Sequence, residues 1–235
     1  MPRSTVYLQV DRVEAAVCAS AREASVSDLH EALGSVAGPQ ATMSPRMRPL
    51  LRGLRVAGPA VTAWCSPGDN LMMHRALSLA RAGDVLVVRA EAGGAQWGDI
   101  AAYYALKKGL AGIVVDGHIR DVDELAEMRS PVWSTLVGPS SPQKTGHGTV
   151  NAPIVCDGVR VEPGDLVVAD GDGVIVIPRA GAGTVVERAL ARTGREQAQR
   201  AEIDAGKEPW RLHGAAENYA KIDVEEIDAP WRPGT

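Results

Sequence analysis

The sequence predicts an α/β fold built on parallel strand–helix–strand units, and three observations carry that expectation. Apolar runs of strand length occupy residues 84–89 and 112–116, with a segment of helical character at 99–108 between them. Short runs that are apolar throughout suit parallel strands buried on both faces by helices. Further along, Asp157-Gly158, Pro163-Gly164-Asp165 and Gly171-Asp172-Gly173 punctuate a series of short apolar runs, the pattern of strands joined by tight turns. At 235 residues, 45% hydrophobic and 23% charged, the chain can bury one substantial core and is not disordered by composition.

From the N-terminus, apolar residues recur at helical spacing over 11–21 and 27–33, where Ser27 can cap the second helix and Gly34 can end it. Residues 35–54, rich in Pro, Met and Gly, read as a loop. A strand is expected at 56–64, a helix at 71–81 and the first buried strand at 84–89. A glycine-rich loop over 91–98 then opens the helix at 99–108, and the second buried strand covers 112–116. A helix at 122–128 delivers the chain to a strand at 132–136, and 138–148 is a loop of Gly, Ser, Pro and Thr. Short strands follow around Ile154, at 159–161, at 166–169 and at 174–177, and then a long helix of alternating charge at 185–205. The organisation expected is one α/β domain over 1–205 and a C-terminal arm over 206–235. Trp210, Pro230, Trp231 and Pro233 mark that arm, and its exposed tryptophans call for a surface to pack on. There is no internal repeat.

A net charge of −4 with scattered Lys and Arg offers no basic patch for nucleic acid or an anionic membrane. Cys18, Cys65 and Cys156 are far apart and odd in number, which argues against a disulfide framework and for small buried thiols in a reducing compartment. No basic segment leads into an apolar run at the N-terminus, and no apolar stretch approaches membrane-spanning length. A cytoplasmic location is therefore expected. Neither GxxxxGK[ST], GxSxG nor HExxH is present, which removes a phosphate-binding loop, a nucleophile elbow and a zinc-protease helix.

The chemistry concentrates between Gly93 and Asp121. A glycine-rich loop ends in Gly98-Asp99 and opens a helix, a buried strand follows, and then comes Gly117-His118-Ile119-Arg120-Asp121. Loops that follow parallel strands gather at the carboxyl edge of the sheet, so Asp99 should meet Arg120 and Asp121 despite the intervening residues. The helix start at Gly98, Asp99, Ile100 and Ala101 offers backbone N–H groups suited to a carboxylate. Arg120 supplies a planar fork for an α-keto acid, and Asp121 a hard oxygen donor for a magnesium-like cation. A 2-oxo acid can chelate such a cation, which together with the arginine would stabilise the enolate left when a carbon–carbon bond breaks. On the residues alone the signal is weak, since Arg-Asp pairs at helix starts are common, and a simple helix N-cap is the plainer reading of Asp121.

The spacing of Asp99 from Arg120-Asp121 resembles the signature of the 4-hydroxy-4-methyl-2-oxoglutarate / 4-carboxy-4-hydroxy-2-oxoadipate aldolases, class II enzymes that release pyruvate and share a fold with the regulator of ribonuclease activity A. Other segments similar to that family are His30-Glu31-Ala32-Leu33, Gly68-Asp69-Asn70 followed by His74, Val114-Val115-Asp116-Gly117, Gly148-Thr149-Val150-Asn151 and Ala169-Asp170-Gly171-Asp172-Gly173. The likeness covers roughly residues 26–206. It implies a layered α-β-β-α sandwich core, trimers or hexamers with sites between subunits, and a divalent cation, magnesium ahead of manganese or cobalt. It also implies roles. Asp121 would bind the metal, Asp99 would act through metal-bound water, and Arg120 would hold substrate and position a water. The amides of Gly98 to Ala101 would bind the pyruvyl carboxylate, and Glu196 would reach a neighbour's metal water shell. Asn70, His74, Glu31 and Lys144 are further pocket candidates, Lys144 for a distal carboxylate. Gln96-Trp97 before the Gly-Asp and the tail after Gly206 depart from the family pattern, where substrate shape and subunit contacts would be set. The resemblance implies aldol cleavage of a 4-hydroxy-2-oxo acid with oxaloacetate decarboxylation as a side activity. A different lyase or isomerase acting on another 2-oxo acid, and a protein-binding ribonuclease regulator, are the alternatives.

Overall fold

The computed structural model describes residues 3–90, 93–212 and 214–230, and the chain divides after Arg192 into two compact units. The first unit is organised around four parallel strands in spatial order β3 (Val56–Cys65), β4 (Val85–Ala90), β5 (Gly112–Ile119) and β6 (Val132–Val137). Three helices connect them: α3 (Leu71–Leu79), α4 (Asp99–Lys108) and α5 (Val122–Glu127). Short strands extend the sheet at both sides. β7 (Gly148–Val150) runs antiparallel to β3 and carries β1 (Thr5–Val6), while β2 (Arg48–Pro49) lies on β6.

β3 serves two pairings. Its first four residues pair antiparallel with β10 (Leu166–Ala169), and Ala60 to Cys65 pair parallel with β4. β10 forms a hairpin with β11 (Val174–Ile177), and β8 (Ile154–Cys156) forms another with β9 (Val159–Val161). The second hairpin turns at Asp157 and Gly158, with φ of 44° and 85°, the left-handed pair that matches strand twist.

Alternation along these strands explains the layers. Leu86, Val88, Ile113 and Val115 point to one face, against Met73 and Leu77 of α3, Ala102 of α4 and Leu125 of α5. Val85, Val87, Val114 and Trp133 point to the other, against Ile154, Val161, Val167 and Val176 of the second layer of strands. The reverse side of that layer, Leu166, Val168, Ile175 and Ile177, is covered by α1 (Ala15–Ala21), α2 (Val26–Ala41) and the first part of α6 (Ala182–Asp204). The result is the expected helix–strand–strand–helix sandwich, because period-2 strands bury both faces only between two further layers. The buried Trp133 indole meets the Asp170 carbonyl at 2.7 Å, so its N–H is not stranded in the core. Buried Asp84 accepts both arms of Arg12 at 2.8 Å, tying the N-terminal segment to the entry of β4.

Several boundaries differ from expectation. α1 starts at Ala15 rather than at residue 11. Ser25, not Ser27, caps α2: its hydroxyl accepts the Asp28 N–H at 3.0 Å, which places Ser27 inside the first turn. Gly34 does break the helix, at φ +86°, but helical turns resume to Ala41 where a loop was expected. β5 runs on to Ile119 instead of stopping at Asp116, through a bulge at Gly117 (φ +153°) that shifts its register on β6. β1 and β7 are each two or three residues long and lack a repeat long enough to read.

The second unit holds the remainder of α6, a 3₁₀ turn over Pro209–Arg211 and a short helix α7 (Ala215–Tyr219). Trp210 and Tyr219 pack edge to face at 5.1 Å, and Trp210 stays 47% exposed. Trp231 and Pro233 lie outside the described residues. No helix among the described residues is long and apolar enough to cross a membrane.

Candidate functional site

Backbone pairing brings the two halves of the site together. The loop before α4 adds to the end of β5: Gln96 N–H donates to the His118 carbonyl at 2.8 Å, and Arg120 N–H to the Trp97 carbonyl at 2.9 Å. Asp99 and Arg120-Asp121 therefore face each other across a short ladder. The longer β5 is what makes this possible, since a strand ending at Asp116 could not pair with Trp97.

Asp121 has φ +57°, a left-handed conformation that costs most non-glycine residues about 1–2 kcal/mol and that Asp tolerates better than most. It occupies the N-cap position of α5, yet its side chain caps nothing there. Its Oδ2 instead accepts the Asp99 N–H at 3.2 Å and lies 3.3 Å from Arg120 Nε. The simple N-cap reading is thus excluded. Asp121 Oδ1 accepts no hydrogen bond from the described residues. Gly98 is required by this contact: a Cβ there would lie 2.5 Å from Asp121 Oδ2. One expected donor is already in use, because the Asp99 amide serves Asp121.

A cavity of about 540 Å³ opens beside this cluster. Gly98, Asp99, Ile100, Ala101 and Arg120 line one side, and Asn70, His74 and Lys144 the other. Arg120 Nη1 also donates to Ser141 Oγ at 2.9 Å, so the loop carrying Lys144 holds the arginine as well. Asn70 stands at the N-cap of α3 without a capping bond, and its buried Oδ1 has no partner among the described residues. The helix is capped instead by Asp69, whose Oδ1 accepts the Leu71 N–H at 2.7 Å. Burial pushes the His74 imidazole below the ordinary histidine range, with Lys144 adding to the shift and Asp69 opposing it.

Glu31 is not brought to this cavity. Glu31 lies on α2, in the other helix layer, and pairs with Arg192 at 2.7 Å. Glu196 lies on α6 beyond Arg192, in the second unit. Sequence reasoning missed Ser141, Asp69, Met73, Tyr104 and the bonding role of Gln96, all of which line the cavity or hold its walls. Gln96 is fully buried; its Nε2 donates to the Asp69 and Gly94 carbonyls at 3.0 and 3.1 Å. Only its unusual position in the loop signalled it, since a glutamine carries no local mark of burial.

No group of three or more His, Cys, Asp or Glu among the described residues could enclose a metal. Asp121 with Asp99 beside it offers oxygen donors only, half-exposed to water. That set suits a hard cation that keeps most of its water shell, such as magnesium, and does not suit a four-ligand zinc site.

A four-layer sandwich with an Asp–Arg–Asp cluster against a helix start at the carboxyl edge of the sheet defines the structural class. The chain belongs to the RraA-like family described as Aldolase/RraA, which matches residues 26–176. A Halalkalibacterium halodurans protein provisionally named 4-hydroxy-4-methyl-2-oxoglutarate aldolase is 36% identical over 159 residues, 67% of this chain and 76% of that protein. A Burkholderia mallei protein of the same provisional name is 42% identical over 144 residues, 60% of this chain and 86% of its own. Among solved structures, Streptomyces coelicolor RraAS2, described as an unusual member of the RNase ES inhibitor RraA family, superposes with a TM-score of 0.74 at 31% identity. The match covers 82% of this chain and 99% of that one. An uncharacterised Pseudomonas syringae protein gives 0.75 at 28% identity, covering 84% and 96%.

Proposed function

We propose that the chain is a divalent-metal-dependent class II aldolase that cleaves a 4-hydroxy-2-oxo acid to pyruvate and a second oxo acid. The observation that carries this reading is the turning of the Asp121 carboxylate away from its own helix and onto the Asp99 amide, beside Arg120; Asp99 and Arg120 line the cavity. The names of the aldolase-like relatives support it.

Asp121, with Asp99 as a second carboxylate, would hold the cation. When bound, the cation withdraws electron density from the keto and carboxylate oxygens of a 2-oxo acid. The Ile100 and Ala101 amides, at the positive end of α4, bind the pyruvyl carboxylate. Cleavage breaks the C3–C4 bond, leaves its electron pair on the pyruvyl C3, and moves one proton from the 4-hydroxyl to C3. Arg120 offsets the negative charge that develops and orients a water for the proton transfer. Oxaloacetate decarboxylation follows from the same arrangement, because loss of CO₂ leaves the same charge on C3. Lys144 and His74 face the substrate's far end, where Lys144 can meet a distal carboxylate.

The site is proposed to be completed in a homo-oligomer, a trimer or hexamer. Ile100 is 77% exposed although it lines the cavity, and Tyr103 and Tyr104 on the same helix are at least half exposed. A neighbouring copy would cover that apolar face and bring Glu196 to the cation's water shell.

Pyruvate release from a panel of 4-hydroxy-2-oxo acids and oxaloacetate, with and without magnesium, tests the proposal. Metal-stimulated pyruvate formation is expected, and none from any member would overturn it. Ribonuclease regulation is the second reading, favoured by the S. coelicolor likeness and by that of the Thermus RNA-processing inhibitor, at TM-score 0.57 and 31% identity over 66% of this chain and 93% of that one. Ribonuclease inhibition by an Asp121→Ala variant, without pyruvate release by the wild type, would favour it.

A further inference from the structure

Asp69 is a carboxylate with 2% exposure, and the cleavage chemistry does not use it. Its Oδ2 accepts the backbone N–H groups of Thr145 and Gly146, at 2.7 and 2.6 Å, while Oδ1 accepts that of Leu71. Two backbone bonds reinforce the join: Gln143 N–H to the Gly68 carbonyl at 2.7 Å, and Asn70 N–H to the Gln143 carbonyl at 3.0 Å. The packing leaves no slack. A Cβ on Gly146 would lie 2.6 Å from Asp69 Cγ and 2.3 Å from Ser66 Oγ. The third strand of the knot is Gln96, whose amide holds the Asp69 carbonyl, and Ala95 N–H, which donates to the Ser140 carbonyl at 2.8 Å.

This knot joins the start of α3, the loop before α4 and the 140–146 loop. The last of these carries Ser141, which holds Arg120, and Lys144, whose ammonium lies near enough to His74 to lower its proton affinity. One buried carboxylate thus anchors the segment that holds Arg120 through Ser141 at one end and carries Lys144 at the other. Lys144 itself is exposed, and a long flexible side chain on an unanchored loop would not stay at the wall.

We propose that Asp69 is a positioning residue: by gripping the Thr145 and Gly146 amides it holds Lys144 at the Asn70–His74 wall and so fixes the subsite for the substrate's far end. The substrate part of this statement rests on the aldolase reading; the placement of Lys144 does not. An amide at residue 69 keeps one acceptor oxygen but sets an NH₂ group against a backbone N–H, so Asp69→Asn loosens the loop while retaining size.

The test is a double-mutant cycle read on the His74 imidazole by NMR titration of the full-length protein. Lys144→Met should raise the His74 midpoint in the wild-type background, since the ammonium is removed. In Asp69→Asn the same substitution should leave the midpoint unmoved, because Lys144 has already left. Gly146→Ala is the second background: it displaces the loop by steric contact while keeping the Asp69 charge, and should silence the Lys144→Met shift in the same way. An equal shift in all three backgrounds would overturn the proposal whether or not the protein is an aldolase. If pyruvate release is observed, Asp69→Asn should raise KM roughly tenfold, and an unchanged KM would overturn the substrate part of the proposal.

Discussion

Asp121 combines a left-handed backbone with a carboxylate that serves another helix, and the two properties can be separated experimentally. Asp121→Ala should abolish metal-stimulated turnover and cost on the order of 1 kcal/mol, because alanine does not tolerate that φ as aspartate does. Asp121→Asn should keep the stability and still lose metal-stimulated turnover. Undiminished magnesium-stimulated activity in either variant would remove Asp121 from the metal site. Arg120→Lys should lower the rate by about two orders of magnitude, since a point charge cannot bridge Ser141, Asp121 and a substrate oxygen together; a near-normal rate would make Arg120 structural. His74 gives a pH signature. Its proton affinity is lowered in the folded state, so the unfolded chain binds the proton more tightly. The stability held by neutral His74 is complete above the ordinary pKa of about 6.5 and is lost as pH falls from there through the depressed folded value. Thermal midpoints measured down this range should fall more steeply for the wild type than for His74→Gln, and identical slopes would contradict the burial of the imidazole.

At the level of elements, α4 was legible in full, from Asp99 to Lys108, because Gly98 and the left-handed Gly109 bracket it. β5 was not. Its apolar run stops at Val115, and nothing local announces that a glycine bulge will carry the strand on through His118 and Ile119. The site depends on that bulge, since the pairing of Trp97 with Ile119 sets Gly98 against Asp121. Gly98→Ala therefore tests the element join rather than a side chain. The added methyl must displace the Asp121 carboxylate, and a shift of about 1 Å at such a site is expected to cost about 100-fold in kcat/KM with the fold intact. Unchanged kcat/KM would mean that the contact is not used in catalysis. α2 shows the opposite case: Gly34 and Pro39 read as loop signals, yet helical turns resume after Gly34 and bury Gly38 against the backbone of His30.

For the molecule as a whole, the apolar side chains of α4 around the cavity mouth and the placement of Glu196 outside the first unit lead to a prediction about assembly. Light scattering should show a trimer or hexamer, and an active monomer would sink the idea. Mixing Asp121→Ala and Glu196→Ala proteins, after dissociation and reassembly, should restore part of the activity through hybrid sites. Without complementation Glu196 loses its role, whatever the oligomeric state.

The sequence by itself determined the fold class, the order of the parallel units and the identity of the Asp99–Arg120–Asp121 cluster. Each of these is written in short-range pattern: apolar period, turn residues, and a motif that spans a single strand–helix–strand unit. Tertiary structure alone decided that Asp121 abandons its own helix, that the Asp99 amide is already occupied, and that Glu31 pairs with Arg192 in the other helix layer. It also decided that Asp69, 76 and 77 residues distant in sequence from Thr145 and Gly146, anchors their loop. These are contacts between segments whose separation along the chain carries no periodicity. A buried carboxylate or glutamine is chosen by the backbone donors and acceptors that happen to surround it, and those are present only once the layers have closed.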